Sequence, residues 1–268
     1  MLGAACGRIG FEVDWSDAGA SIGDAASGDG VPDSVPDSVP DGGGSLEAMF
    51  QSASQSAPCS SGCNTGASHP INHTLVPGCD RLLVVFSGCG EDGLTPSTAT
   101  YGGVPMTRLG GLVDYGNFSI SDELFYMTES QLGAMTDAPH TVTFPPTCYA
   151  GIAMQFQGVD QSNPIGELVA VGSEAEWTTR IDVATADTNA LIVDGVSAGR
   201  SGDRAMSVPA SSTAQIERGN VQYNSNSGAG YSVSTRPWQA NPTSLTRDLA
   251  ADSYPFEVHV GAAIHPAP

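Results

Sequence analysis

From about residue 68 onward the chain is a series of short runs rich in β-branched and aromatic residues, each closed by glycine, proline, asparagine or aspartate. No other feature constrains the fold as much. Such runs, recurring at intervals of roughly 8–12 residues, match antiparallel strands and leave no room for long helices. The clearest are RLLVVFSG (81–88), ATYGGVPMTRL (99–109), DELFYMT (122–128), HTVTF (140–144), YAGIAMQFQGV (149–159), TRIDVAT (179–185), NALIVDGVSA (189–198), AGYSVST (229–235) and FEVHVGAAI (256–264). In TRIDVAT, Ile181 and Val183 alternate with Arg180 and Asp182, the pattern of a strand with one buried face. Tyr101-Gly102-Gly103-Val104-Pro105 reads as a hairpin turn whose glycines take positive φ. Only SLEAMFQSAS (45–54) and ESQLGAM (129–135) suggest helix, two turns each. The expected fold class is all-β, an antiparallel sandwich over residues 67–268.

The first 66 residues have a different character. Residues 16 to 49 contain no aromatic residue, and Val-Pro-Asp-Ser repeats with a period of four from Val31 to Asp41. The prolines forbid helix and favour an extended, polyproline-like chain, and with so little apolar surface the segment cannot offset its ordering entropy. A disordered acidic tether is expected. Its aspartates at 29, 33, 37 and 41 resemble the acidic calcium repeats of thrombospondin type 3 modules. Those repeats place acids at every second residue around a glycine, so a solvated spacer is the reading adopted here.

The formal charge is −20, from 29 acids against 9 bases, and every base is arginine. This excludes nucleic acid as a partner, since phosphate binding relies on clustered positive charge. No run reaches the ~20 apolar residues needed to cross a bilayer as a helix.

The opening MLGAACGRIGFE places small residues before Cys6 and a glycine after it, and resembles the lipobox of bacterial lipoproteins, in which that thiol carries lipid. Leu2 lies four residues before Cys6, where the pattern places its aliphatic residue three before. A basic n-region and an apolar h-region are missing, so an export signal is expected upstream of Met1. Gly7 stands where an inner-membrane retention signal has aspartate, which points to the outer membrane or cell surface. Cys59, Cys63, Cys79, Cys89 and Cys148 remain, and in an exported protein such cysteines pair. Cys59 and Cys63 could close a small loop, with Cys79 or Cys89 then reaching Cys148. Zinc is the competing reading of Cys59 and Cys63, but no second pair with matching spacing completes a site.

The ordered series RLLVV, YGGVPMT, ELFYM, HTVTF, AMQFQGVDQSNPI and NALIVDGV resembles a β-sandwich module of uncharacterised secreted and surface proteins of bacteria, over roughly residues 72 to 264. The resemblance implies a jelly-roll-like sandwich, similar to lectin and carbohydrate-binding modules. It brings no catalytic residues with it, and fold similarity alone does not confer sugar binding.

Gly195-x-Ser197-x-Gly199 follows an apolar run, as a hydrolase nucleophile elbow does. An elbow requires a helix after the serine, yet RSGDRAMSVPASS carries Gly202, Pro209 and no helical period. Chain order permits Ser197, Asp248 or Asp252, and His259 as a triad. In FEVHVGAAI, however, Phe256, Val258 and Val260 alternate with Glu257 and His259, which places the imidazole outward on a terminal strand. The favoured reading puts Leu191 and Val193 in the core, with Asp194 through Gly199 leaving the sheet. His69, His73, His140 and His265 share no ligand spacing, and Pro70 separates the first two.

Trp238, Trp177 and Tyr231 lie in polar, turn-rich surroundings and are the candidates for stacking on a sugar, with Arg236 and Gln239 as polar partners. Glu91 and Asp92 are candidates to hold a structural calcium. No catalytic residue, metal ligand or cofactor is assigned. The expectation is a non-enzymatic, lipid-anchored surface protein displaying its sandwich for adhesion, glycan contact or envelope structure, with a glycan or a surface protein as partner. The alternative is an extracellular hydrolase acting on polysaccharide or ester.

Overall fold

A computed structural model describes residues 47–57, 70–90, 98–115, 120–135, 138–144, 148–174, 178–200, 214–223, 229–248 and 255–268. The elements in chain order are β1 (Met49–Gln55), β2 (Ile71–His73), β3 (Leu82–Gly90), β4 (Thr100–Tyr101), β5 (Val104–Pro105), β6 (Thr107–Tyr115), β7 (Ile120–Thr128), α1 (Glu129–Leu132), β8 (His140–Thr143) and β9 (Cys148–Gln157). They continue with β10 (Val169–Glu174), β11 (Thr178–Val183), β12 (Leu191–Arg200), β13 (Ile216–Tyr223), β14 (Ala229–Pro237), β15 (Thr243–Asp248) and β16 (Pro255–Ile264). The class is all-β.

These strands form four sheets that pack as layers. A four-stranded sheet, β2-β8-β4-β5, lies over a five-stranded sheet, β1-β9-β3-β7-β6, and the two enclose a cluster that includes Ile71, Leu83, Val85, Tyr101, Phe125 and Val142. The other face of the β3 sheet meets a second five-stranded sheet, β10-β16-β12-β14-β13, across the largest core. The far face of that β12 sheet is covered by the two-stranded ribbon β11-β15 over a small cluster of Ile181, Val183, Ile192, Leu245 and Ala263. All the ladders are antiparallel.

The apolar patterning follows from this layering. In β3, Leu82, Val84 and Phe86 enter the core between the five-stranded sheets, while Leu83 and Val85 enter the core beneath the β2 sheet. A strand buried on both faces reads as a continuous apolar run. β11 is buried on one face only: Thr179, Ile181 and Val183 point in and Thr178, Arg180 and Asp182 point out, as its alternation predicts. At the β4–β5 hairpin, Gly102 and Gly103 have φ of 57° and 81°, the two positive values that a type I′ turn requires.

The motif segments tie together the ends of β3, β7 and β9 at one edge of their sheet. Arg81 donates from Nε and Nη2 to the two carboxylate oxygens of Glu129, at 2.8 and 2.6 Å. Gln161 accepts from Glu129 N–H at 2.8 Å and donates to the carbonyls of Arg81 and Val159. Asp160 accepts from Ser162 N–H and Oγ–H, the Asx turn that a D-x-S sequence favours.

Four expectations are corrected. Residues 49–55 form strand β1, paired with β9, where a helix over 45–54 was expected: β9 offers a free edge and satisfies the backbone in extended form. The compact unit accordingly spans Ser45–Pro268 and begins upstream of the expected boundary at residue 67. The second expected helix is a single turn, Glu129–Leu132. β12 does not leave the sheet at Asp194 but continues to Arg200, paired with β14 on one side and β16 on the other.

Gly195 and Gly88 permit the two five-stranded sheets to approach closely. A Cβ on Gly195 would lie 2.1 Å from Phe86 Cε2, and one on Gly88 would lie 2.0 Å from Tyr231 Cε1. Gly195→Ala should destabilise the fold by ~1–3 kcal/mol in a urea titration, the usual cost of overpacking, and Phe86→Leu in the same chain should restore part of it. Unchanged stability in Gly195→Ala would contradict the packing described.

Candidate functional site

The side chains with the most chemical potential lie on β12 and its neighbours. Asp194 projects from the ribbon-facing side of β12 and is met by Arg247 from β15, and both side chains are 0% exposed. Arg247 donates from Nη2 to Asp194 Oδ1 at 2.8 Å and from Nε to Oδ2 at 3.0 Å, the bidentate geometry that a planar guanidinium permits. Its Nη1 donates to Ser232 Oγ at 3.0 Å. Asp194 also accepts from Ser234 N–H and Oγ–H, and from Gln215 Nε2 at 3.0 Å. His259 on β16 completes the cluster, with Nε2 2.9 Å from Asp194 Oδ2 and Nδ1 3.4 Å from Thr179 Oγ1 on β11.

Charge states follow from these contacts. Burial alone would raise the Asp194 carboxyl; the Arg247 guanidinium and the His259 hydrogen bond more than reverse this and hold it below the ordinary carboxylate value. Burial pushes His259 down, against the pull of Asp194 and with the help of the Arg247 charge. The centre is therefore an Asp194 carboxylate paired with Arg247, with a neutral His259 that donates from Nε2 and accepts from Thr179 at Nδ1.

Ser197 belongs to the opposite face of the same strand. Its N–H donates to Asp122 Oδ2 at 2.7 Å, and its hydroxyl shares a second hydrogen bond with the Asp122 carboxyl, so β12 is tied to β7 across the central core. Burial pushes the Asp122 carboxyl well above the carboxylate range, against the two Ser197 hydrogen bonds.

The triad that chain order allowed does not assemble. Ser197 faces the β3 sheet and His259 faces the ribbon, on opposite sides of one sheet, and Ser197 sits within an extended strand that continues to Arg200. Asp248 ends β15 opposite Thr178, and Asp252 lies outside the described residues. His259 is also corrected. Its strand is internal, between β10 and β12, and the ribbon buries its ring, so it does not face outward.

Of the five candidate binding residues, three come together on the β14–β15 turn. Arg236 donates to Gln239 Oε1 and to the Ser244 carbonyl, Gln239 is exposed, and Trp238 is half-buried against the ribbon cluster, with its Nε1 buried and unpartnered among the described residues. Tyr231 is only 4% exposed and packs in the central core, so its ring offers no face to a ligand. Trp177 lies outside the described residues, as do Cys6, Cys59, Cys63, Glu91, Asp92 and His69. Cys79, in the turn before β3, is disulfide-bonded. Cys89 and Cys148 occupy opposed positions on β3 and β9.

Spacing along the chain concealed one pair of imidazoles. His73 and His140 are register partners on β2 and β8, and the ring of Tyr101 lies 6.3 and 5.3 Å from them. His73 accepts or donates at Nδ1 with Ser54 Oγ at 3.0 Å, and burial pushes its pKa down to about 4. Among the described residues no group of three or more His, Cys, Asp or Glu side chains is placed to hold a metal ion, and no helix is long and apolar enough to cross a membrane. Set against protein-family models, curated proteins and solved structures, the chain gives no match in any of the three.

The raised Asp122 has a measurable consequence. A carboxyl whose folded pKa exceeds its unfolded value contributes stability below the unfolded pKa, near 4, and loses it as pH rises through the folded pKa. Asp122→Asn removes the ionisation while retaining an acceptor for Ser197 N–H. It should raise the melting temperature relative to wild type at pH 7–8, with the difference shrinking as pH falls below about 4. An equal effect at both pH values would contradict the assignment.

Proposed function

We propose that the chain is a non-enzymatic, lipid-anchored protein of a bacterial cell surface, displaying its β-layers on an acidic tether for adhesion, glycan binding or envelope structure. One observation carries the non-enzymatic part: among the described residues the groups singled out for acid–base or nucleophilic chemistry are buried between layers in two separate clusters, Ser197 bonded to Asp122 on one face of the β12 sheet and Asp194 bonded to Arg247 and His259 on the other. A substrate would have to separate two sheets to reach them.

Anchoring rests on the lipobox-like MLGAACG around Cys6 and on the Val-Pro-Asp-Ser tether that follows it. The jelly-roll-like reading of the layers rests on the ordered motif series from RLLVV to NALIVDGV. If a glycan is the partner, the β14–β15 turn is the place for it, because Gln239 is exposed there and Arg236 and Trp238 stand beside it.

The test is metabolic labelling with an alkynyl fatty acid in a bacterium that exports the chain behind a lipoprotein signal. Label should appear in the membrane fraction and be lost, with release of soluble protein, in Cys6→Ser. Unlabelled, soluble wild-type protein would contradict the anchor.

A further inference from the structure

We propose that Ser234 and Gln215 become joined by an ester between Ser234 Oγ and Gln215 Cδ, formed by the folded protein itself with loss of one ammonia. The link is a modification of this chain alone and stands apart from export, anchoring and any bound partner.

Geometry carries the first half. Gln215 directly precedes β13, and Ser234 lies on the neighbouring strand β14, opposite Glu217. Gln215 Nε2 donates to Ser234 Oγ at 2.8 Å and to Asp194 Oδ2 at 3.0 Å. The second contact fixes which end of the amide faces inward, because a carboxylate accepts and only the nitrogen can donate to it. Ser234 Oγ–H in turn donates to Asp194 Oδ1. A hydroxyl, a carboxamide and a carboxylate therefore meet at one place, with the hydroxyl oxygen against the amide group and its proton already directed at a base. Asp194 and Ser234 are 0% exposed and Gln215 is 6% exposed, so water, the competing nucleophile, is kept out. Groups held in contact in this way need no bimolecular encounter to react.

The balance of donors and acceptors carries the second half. An ionised carboxylate offers about four lone-pair sites. Asp194 is met by six donors: Arg247 Nη2 and Nε, His259 Nε2, Gln215 Nε2, and the N–H and Oγ–H of Ser234. Gln215 Oε1, meanwhile, is buried with no partner among the described residues, a costly state for an amide oxygen. The ester removes both faults. It deletes the Gln215 NH2 and the Ser234 hydroxyl proton, which leaves Asp194 with the four donors of Arg247, His259 and the Ser234 amide. It also turns the amide oxygen into an ester carbonyl, a weaker acceptor that loses less when left unpaired.

In the reaction, Ser234 Oγ bonds to Gln215 Cδ as Asp194 takes the hydroxyl proton. The C–N bond then breaks with its electron pair on nitrogen, Asp194 returns the proton to that nitrogen, and ammonia leaves; the carboxylate is regenerated and nothing is oxidised or reduced. Ammonia departs beside β13, an edge strand of its sheet, and is protonated in bulk water at neutral pH, which draws the exchange forward. The event happens once per molecule, so it requires neither turnover nor a path for a substrate. Its consequence is an edge strand tied covalently to its neighbour at the end where it begins.

Trypsin places the two residues on separate peptides. The chain has no lysine, and cuts after Arg204, Arg218 and Arg247 give 205–218, which holds Gln215, and 219–247, which holds Ser234, since Arg236 precedes Pro237 and is not cut. The full chain, reduced, alkylated and digested at neutral pH, should yield 205–218 joined to 219–247 at their combined mass less one ammonia. Hydroxylamine should split the pair, returning 219–247 at its sequence mass and 205–218 as a hydroxamate at residue 215. Ser234→Ala should give both peptides unlinked. Wild-type peptides found unlinked at their sequence masses would overturn the inference whether or not the variant folds, and so would a link that survives Ser234→Ala or resists hydroxylamine.

Discussion

The β12 sheet is covered on both faces, and much of the chain's polar chemistry follows from that constraint. A sandwich sheet ordinarily turns one face to water, where acids and bases need no protein partners. Here the β11–β15 ribbon closes over that second face, so Asp194, His259, Ser232 and Ser234 must find partners within the protein. Arg247 meets the need from the ribbon itself. A buried ion pair is weak evidence for net stability, because desolvation offsets much of the attraction. Its better-attested effect is specificity. A ribbon shifted by one residue along the sheet would leave both charges buried and unpaired, at a cost of several kcal/mol.

The central interface obeys a different rule. Between the two five-stranded sheets the core is apolar, and close approach depends on Gly88 and Gly195 leaving room for Tyr231 and Phe86. Asp122 is the acid admitted there, at the end of the core where Ser197 reaches it with both its amide and its hydroxyl. In this fold the Gly-x-Ser-x-Gly sequence of β12 is a packing device: Gly195 makes room for Phe86 and Ser197 bonds across the gap.

Legibility in the sequence tracked the number of layers a residue touches. The β4–β5 hairpin and β11 were readable because a turn with two positive φ values and a one-faced strand each leave a local pattern. β1, β10, β13 and β15 gave weaker patterns: β1, β10 and β13 are sheet edges, and β15 pairs only with β11. His259 was misjudged for a physical reason. Alternation in FEVHVGAAI correctly separates two faces, but no local pattern reveals that a ribbon from elsewhere in the chain covers the second. The cluster around Asp194 was illegible for the same reason, since its members come from β11, β12, β14, β15, β16 and the residue before β13. A buried aspartate inside an apolar strand was the available signal.

The central claim is that this polar centre holds layers together, and a double-mutant cycle on Asp194 and Arg247 tests it most directly. Asp194→Leu and Arg247→Met should each destabilise the protein by ~3–5 kcal/mol in denaturant titrations, because each strands a buried charge. The double variant should lose less than the sum, leaving a coupling energy of ~1–3 kcal/mol. Single variants of near-wild-type stability, or strict additivity, would contradict the account.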